Sequence, residues 1–319
     1  MSTHNLLDIS VDEISDEERA IHERRAFMYS AHALKFAAAF DKLMIRHPPF
    51  MSGLKDLDRV FQLANELDMP QGIRIIGPTG SGKTSLIKYF SQTIPKTTLF
   101  DPSYGLLYTR LRKNSNRHQI VRSFLTHFKY PFASSNAKSF DIKFRILLDA
   151  IEEKGTRLIV IDEAHTLVHQ VVRNERKHAG VTDISDFLRE LVDESNVALV
   201  LVGTDELDQL NKVDPHLDSR VPGRVELKDF DLSPDWVGIL KAVAGLPSPV
   251  SLEKIFTQEF PARLHAATKG NMRHLKRLLT EAILVGIDEN HREVSLNTLA
   301  KAFDLIHGNS HEKTNPFIV

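Results

Sequence analysis

The chain has 319 residues, 42% hydrophobic and 26% charged, with a formal net charge of −1 and no cysteine. That balance suits a globular protein large enough for two domains, and any nucleic-acid surface must then be a local basic patch rather than an overall charge. The lack of cysteine excludes disulfides, thiol catalysis and thiolate metal sites, and suits a reducing cytosol. No apolar run approaches the ~20 residues of a membrane span. The opening MSTHNLLDISVDEISDEERA is acidic and polar, unlike a secretory signal, so a cytoplasmic location is expected.

In chain order, Ser15-Asp16-Glu17-Glu18 reads as a capping box for a helix through Ala20, Phe27 and Met28. A second helix is expected from Ala31 to Arg46, with Leu34, Ala37, Phe40, Leu43 and Met44 as its stripe and Pro48-Pro49 as its stop. These helices suit either a docking surface for a partner or a collar packed on the core. Leu54 to Leu67 is a further helix, broken by Pro70. GIRII (Gly72–Ile76) and LLYTRL (Leu106–Leu111) read as strands, and His118–Phe128 and Ser139–Glu153 as helices. RLIVID (Arg157–Asp162) and VALVLVGT (Val197–Thr204) are continuous apolar runs, the pattern of strands buried on both faces. A helix at Ser185–Glu194 lies between them, and VELKDF (Val225–Phe230) is an edge candidate. Strands alternating with helices predict an α/β fold with a parallel sheet covered on both sides. After Phe230 only helical patterns appear. The expected division is an N-terminal helical extension (1–50), an α/β domain (51–230), a helical domain (231–307) and a flexible tail (308–319) that ends in NPFIV.

Between the first strand and a helical run through Leu86, Tyr89, Phe90 and Ile94 lies GPTGSGKTS. It matches the phosphate-binding pattern G-x-x-x-x-G-K-[ST] in the strand–turn–helix context the pattern requires. Gly77, Pro78, Thr79, Gly80, Ser81, Gly82, Lys83, Thr84 and Ser85 are therefore assigned to the phosphates of ATP. Gly80 and Gly82 let backbone N–H groups reach phosphate oxygens, and the helix N-terminus adds its positive end. Lys83 supplies a compact cation for the β- and γ-phosphates, and Thr84 a hydroxyl for Mg²⁺.

Asp162 and Glu163 close an apolar strand, where ligands bind in parallel sheets. Asp162 is assigned to Mg²⁺ and Glu163 to general-base activation of water. Thr204 would face the γ-phosphate if its strand lies between those of the phosphate loop and Asp162. Arg220 and Arg224, in LDSRVPGR, are candidates for an arginine donated to a neighbouring subunit's phosphates. Arg273, at the opening of a helix in GNMR, could reach back to the phosphates. His165 and His169 lie four apart and could share a helix face, but no third metal ligand stands at a recognised spacing. The plainer role for His165 is a hydrogen bond near the nucleotide. Two basic stretches suit DNA phosphates, or equally a solvated loop: Arg110, Arg112, Lys113 and Arg117, and Arg173, Arg176, Lys177 and His178.

With GPTGSGKTS, LIVIDEAH, LVGT, LDSR and GNMRHLKRLL in this order, the chain resembles the AAA+ ATPases. More narrowly, it is similar to the TniB/TnsC group of transposition ATPases, related to MuB and IstB. The resemblance spans about residues 40–319, and DKLMIRHPPF and NPFIV share in it. It implies a sheet in the order 5-1-4-3-2, a helical lid, and a homo-oligomeric ring, hexameric, or helical filament. It also implies sequence-independent binding of duplex DNA and contacts with a transposase and target-selector proteins on a bacterial chromosome. By motif match, Glu163 takes the catalytic role, Thr204 the sensor-1 role, Arg273 the sensor-2 role and Arg220 the finger role. A helicase loader or a protein-remodelling, secretion-linked ATPase shares the first three motifs, so both remain alternatives.

Overall fold

The computed structural model describes residues 29–64, 66–94, 104–131, 139–169, 183–308 and 314–318. The helix expected through Ala20–Met28 and the basic stretch with Arg173, Arg176 and Lys177 lie outside these residues.

Among the described residues, five strands form one sheet: β1 (Ile73–Ile76), β2 (Leu106–Arg110), β3 (Leu158–Asp162), β4 (Ala198–Gly203) and β5 (Gly223–Glu226). All neighbours are parallel in the order β2-β3-β4-β1-β5, which from the other edge is 5-1-4-3-2. Every residue of β3 and β4 is buried because helices cover both faces. On one face, α4 (Arg117–His127), α5 (Phe140–Glu153) and α6 (Asp183–Ser195) bury Phe124, Leu147 and Phe187 against Ile159, Ile161, Leu199 and Leu201. On the other, α2 (Pro48–Leu63) and α3 (Lys83–Thr93) bury Leu57, Val60, Leu86 and Phe90 against Ile75, Val160, Val200 and Val202. The alternation of β4 side chains between these two cores is the period-two rule of a strand. Two short helices, α7 (Leu210–Val213) and α8 (Pro215–Asp218), lead into β5.

The helical domain comprises α9 (Pro234–Ala244), α10 (Phe260–Thr268), α11 (Met272–Asp288) and α12 (Leu296–His307) around Trp236, Leu264, Leu279 and Phe303. The Trp236 indole N–H, fully buried, donates to the Pro261 carbonyl at 2.9 Å, so its one polar group is satisfied.

Four expectations need correcting. The helix expected to reach Arg46 is α1 (Ala31–Lys42), and Pro48-Pro49 start α2 rather than stop α1. Proline is favoured in a first turn, where its missing N–H has no helical partner to lose. The buried stripe of α1 is Ala33, Ala37 and Phe40, while Leu34 is 51% exposed. The helix packs on α11 through Ala33, Ala37 and Leu284, with Tyr29 donating to Glu281 and the Ser30 N–H to Asp288 at 3.2 Å. It thus covers the helical domain, not the sheet. The last strand begins two residues earlier than expected, at Gly223, and ends at Glu226. Finally, residues 314–318 are docked, not free. Asn315 donates to the Ala300 carbonyl at 3.0 Å and to Asp304 at 2.9 Å, Arg263 donates to the Pro316 carbonyl at 2.7 Å, and Phe317 is buried against Phe303. An apolar ring with a pocket beside it gains more from burial than from solvent.

Candidate functional site: a nucleotide cleft at the carboxyl edge of the sheet

A cavity of about 820 Å³ opens at the carboxyl ends of β1, β3 and β4. Its floor is the phosphate loop, Thr79–Ser85, faced by Asp162, Glu163 and Thr204. Met272, Arg273, Lys276 and Arg277 of α11 roof it, and Leu43, Met44, Ile45, His47 and Phe50 line its far end. The size and the apolar far end opposite a cationic loop suit a nucleotide, base at one end and phosphates at the other.

The loop folds as the glycines dictate. Gly80 has φ 92°, and a Cβ there would lie 2.6 Å from Asn271 Oδ1, so only glycine lets the helical domain dock this closely. That docking is specific: the Arg273 N–H donates to the Gly80 carbonyl at 3.1 Å, and the Asn271 amide to the Thr79 carbonyl at 3.0 Å and to Asp229 at 2.8 Å. Asn271 also caps α11, accepting from the Arg273 and His274 N–H groups. Gly270, at φ 70°, lets the backbone pass close to Phe230, because a Cβ there would meet the Phe230 carbonyl at 1.8 Å.

Lys83 opens α3 and donates to the Gly77 and Pro78 carbonyls at 2.7 and 2.8 Å. Its burial pushes the ammonium below its usual range, while the Asp162 and Glu163 carboxylates oppose that shift. Thr84 donates to Asp162 Oδ2 at 2.9 Å, and Tyr108 donates to the same oxygen at 2.7 Å. Asp162 is only 4% exposed, and its Oδ1 accepts the Glu163 N–H at 2.9 Å. A hydroxyl and a carboxylate facing each other give an all-oxygen donor set suited to Mg²⁺ with its water shell, so the residues fit that cation. Burial, followed by the bond to Asp162, raises the Tyr108 hydroxyl pKa well above its usual value, so this phenol remains a donor.

Glu163 adopts a left-handed backbone, φ 58°, which a glutamate does at a cost of ~1–2 kcal/mol and which is common at functional sites. Its Oε1 accepts from Arg110 at 2.9 Å, and its Oε2 lies 3.5 Å from His165 Nε2. Arg110 ends β2 directly opposite Asp162 in the β2–β3 register, which is how it reaches the next residue. Thr204 follows β4, between β1 and β3 as expected, and its hydroxyl donates to Glu206 at 3.2 Å.

Thus Lys83, Thr84, Asp162, Glu163, Thr204 and Arg273 converge on one cavity. Arg220 and Arg224 do not line it. Arg220 forms a two-point ion pair with Asp193 at 2.8 and 3.1 Å, and Arg224 pairs with Asp208 and Glu226, each at 3.1 Å. Among the described DNA candidates, Arg110 holds Glu163, and Arg117 pairs with Asp183 at 3.0 Å while lying over the Phe140 ring. Sequence reasoning missed Tyr108, Asn271, Lys276 and the stretch from Leu43 to His47. Lys276 bonds the Asp41 and Leu43 carbonyls, fixing that stretch at the cavity's far end. His47 accepts the Phe50 N–H at 3.2 Å through Nδ1, and burial lowers its pKa to about 4, so it is neutral. In the sequence Tyr108 reads only as one residue of the strand LLYTRL; the partner that gives it a role, Asp162, comes from β3.

A family profile described as bacterial TniB protein matches residues 35–230, more than half of the chain. The chain belongs to the TniB family. The likeness to solved structures at these identities is one of fold. The Orc2 protein of Aeropyrum pernix in its ADP form aligns at TM-score 0.61 and 18% identity over 85% of this chain and 72% of that one. Cdc6p of Pyrobaculum aerophilum aligns at 0.60 and 17% over 83% and 69%. The Aeropyrum pernix Orc1 protein in complex with DNA aligns at 0.60 and 16% over 82% and 66%. The fold of this TniB protein is accordingly that of the AAA+ P-loop ATPases. A nucleoside triphosphatase I from Amsacta moorei entomopoxvirus is 25% identical over 156 residues, which are 47% of this chain and 24% of that protein.

Proposed function

We infer that this TniB protein binds and hydrolyses ATP and uses the cycle to regulate transposition on duplex DNA. The observation that carries the inference is the convergence of Lys83, Thr84 and Asp162 on one cavity with Glu163 directly beside them. In this reading Lys83 and the loop N–H groups hold the phosphates. Thr84 and Asp162 hold Mg²⁺, which supplies neutralisation of the phosphate charge. Glu163 accepts a proton from the attacking water, and Thr204 orients that water from the γ-phosphate side. Arg273, on the helix that touches Gly80, links the position of the lid to the nucleotide. Arg220, or Arg224 in its place, completes the site of an adjacent copy once it leaves its acidic partner.

The DNA part of the reading rests on the family, on Arg110, Arg112 and Lys113 at the exit of β2, which line a second hollow of about 610 Å³ that also reaches Glu163, and on Arg117 at the start of α4. These side chains suit backbone phosphates rather than bases. Few contacts per copy are sufficient if copies assemble along the duplex. Transposase and target-selector proteins are the expected partners of that assembly. Electron microscopy of the protein with a non-hydrolysable ATP analogue, with and without duplex DNA, is the test. Rings or filaments that require duplex support the reading. Assembly on single strands alone would favour a helicase loader, and no DNA dependence at low salt would favour protein remodelling.

A further inference from the structure

We propose that His165, His169 and Glu206 form a binding site for a borderline divalent cation of the Zn²⁺ class, distinct from the all-oxygen site at Thr84 and Asp162. His165 and His169 lie one turn apart in the helical turn 165–169 that follows β3, with ring centroids 5.9 Å apart. Glu206 lies in the 3-10 helix Asp205–Gln209 that follows β4. Because β3 and β4 are hydrogen-bonded neighbours, the two exits are side by side, and a residue remote in sequence becomes the third ligand. One donor atom from each of the three residues falls within 4.8 Å of the other two. Ligands of a tetrahedral zinc ion at ~2.0–2.1 Å stand roughly 3.4 Å apart. The His169 and Glu206 side chains are 57% and 46% exposed, so rotamer changes alone can close that difference.

The hydrogen bonding around the cluster suits metal ligation. His165 Nδ1 is buried and, among the described residues, has no hydrogen-bond partner, which is costly in a folded interior. Its Nε2 lies 3.5 Å from the Glu163 carboxylate, which favours the proton on Nε2 and leaves the lone pair on Nδ1. Coordination through Nδ1 satisfies that nitrogen and makes Glu163 the outer carboxylate of a carboxylate–histidine–metal arrangement. Glu206 is oriented in the same way, since its Oε2 accepts from Thr204 at 3.2 Å and lies 2.9 Å from His169 Nε2. Two imidazoles and one carboxylate are the donor set of an open zinc site, with one coordination position left for solvent. They are a poor set for Mg²⁺ or Ca²⁺, which prefer oxygen alone. A cation bound there ties the exits of β3 and β4 together and engages the partners of both Glu163 and Thr204.

The test is a titration of the chelator-treated full chain with Co²⁺, without nucleotide, following its visible d–d absorption, and with Zn²⁺ as competitor. Saturation at one Co²⁺ per chain, displaced by Zn²⁺ and not by excess Mg²⁺, is expected. His169→Ala and Glu206→Ala should each weaken binding by more than ~10-fold, and Thr204→Val by ~10-fold or more through loss of the outer hydrogen bond. Thr84→Ala should leave the affinity unchanged. His169 and Glu206 are exposed, so their variants are expected to fold; equal melting temperatures without metal confirm it. Absence of saturable binding, or binding in His169→Ala and Glu206→Ala equal to wild type, overturns the proposal. Neither outcome depends on whether the protein hydrolyses ATP.

Discussion

At the phosphate end of the cleft, the polar groups are braced by the chain itself. Lys83 is fixed to two carbonyls of its own loop, and Asp162 receives Thr84, Tyr108 and the Glu163 N–H. At Glu163 and Thr204, and at the two arginines outside the cavity, groups of the same kind are engaged by more exposed partners. Glu163 is held by Arg110, Thr204 by Glu206, Arg220 by Asp193 and Arg224 by Asp208. The first set is buried or half-buried, and such bonds are costly to break. The second set consists of largely exposed ion pairs and hydrogen bonds worth ~0–1 kcal/mol each, weak enough for a phosphate, a DNA strand or an adjacent copy to exchange them. One end of the cleft is thus braced by buried contacts of the chain itself, while Glu163, Thr204 and the two arginines sit in exchangeable pairs.

That contrast can be broken most strongly at Glu163. Glu163→Gln should lower ATP turnover by ~10²–10⁴-fold while nucleotide affinity, read with a fluorescent analogue, remains near wild type. A parallel loss of affinity would merge the two ends. The next largest effect lies at the far end of the cavity. His47 has an ordinary value of 6.5 and is lowered to about 4 by burial, so the unfolded chain binds more protons between those values. The stability it contributes is full above pH 6.5 and is lost toward pH 4, by ~1.4 kcal/mol per unit. The melting temperature should fall over that window, and less steeply in His47→Gln. Tyr108→Phe removes one hydrogen bond from Asp162, ~1 kcal/mol, so the Mg²⁺ concentration for half-maximal rate should rise ~5-fold. An unchanged Mg²⁺ dependence would leave Tyr108 a packing residue. The smallest effect is at Arg110, whose pair with Glu163 joins side chains 64% and 38% exposed. Arg110→Ala should raise turnover without DNA by ~1.5–5-fold, the worth of one exposed pair. A fall would mean that Arg110 helps the reaction instead of restraining Glu163.

The sequence exposed what depends on local pattern. GPTGSGKTS carries its own geometry, and the buried runs at β3 and β4 declare themselves because both faces are covered. The alternation of strand and helix was enough for a parallel sheet, and the place of Thr204 followed from where β4 runs. What stayed hidden is set by contacts between distant segments. Arg110 read as a DNA contact because its charge is visible while its register opposite Asp162 is not. Glu206 follows a different strand from His165, so no spacing rule links them. The NPFIV segment looked like a free tail because five terminal residues carry no sign of the groove formed by α10 and α12. Pro48-Pro49 was misread for a local reason: the same residue that forbids a helix interior favours its first turn.

We propose that ATP held at Lys83 fastens copies together on DNA and that hydrolysis at Glu163 releases them. The most direct measurement compares Lys83→Ala with Glu163→Gln on duplex DNA in the presence of ATP, following assembly by electron microscopy and light scattering over time. Lys83→Ala should form no assembly, whereas Glu163→Gln should assemble and not come apart. Equal behaviour of the two variants, either both assembling or both failing, would contradict it.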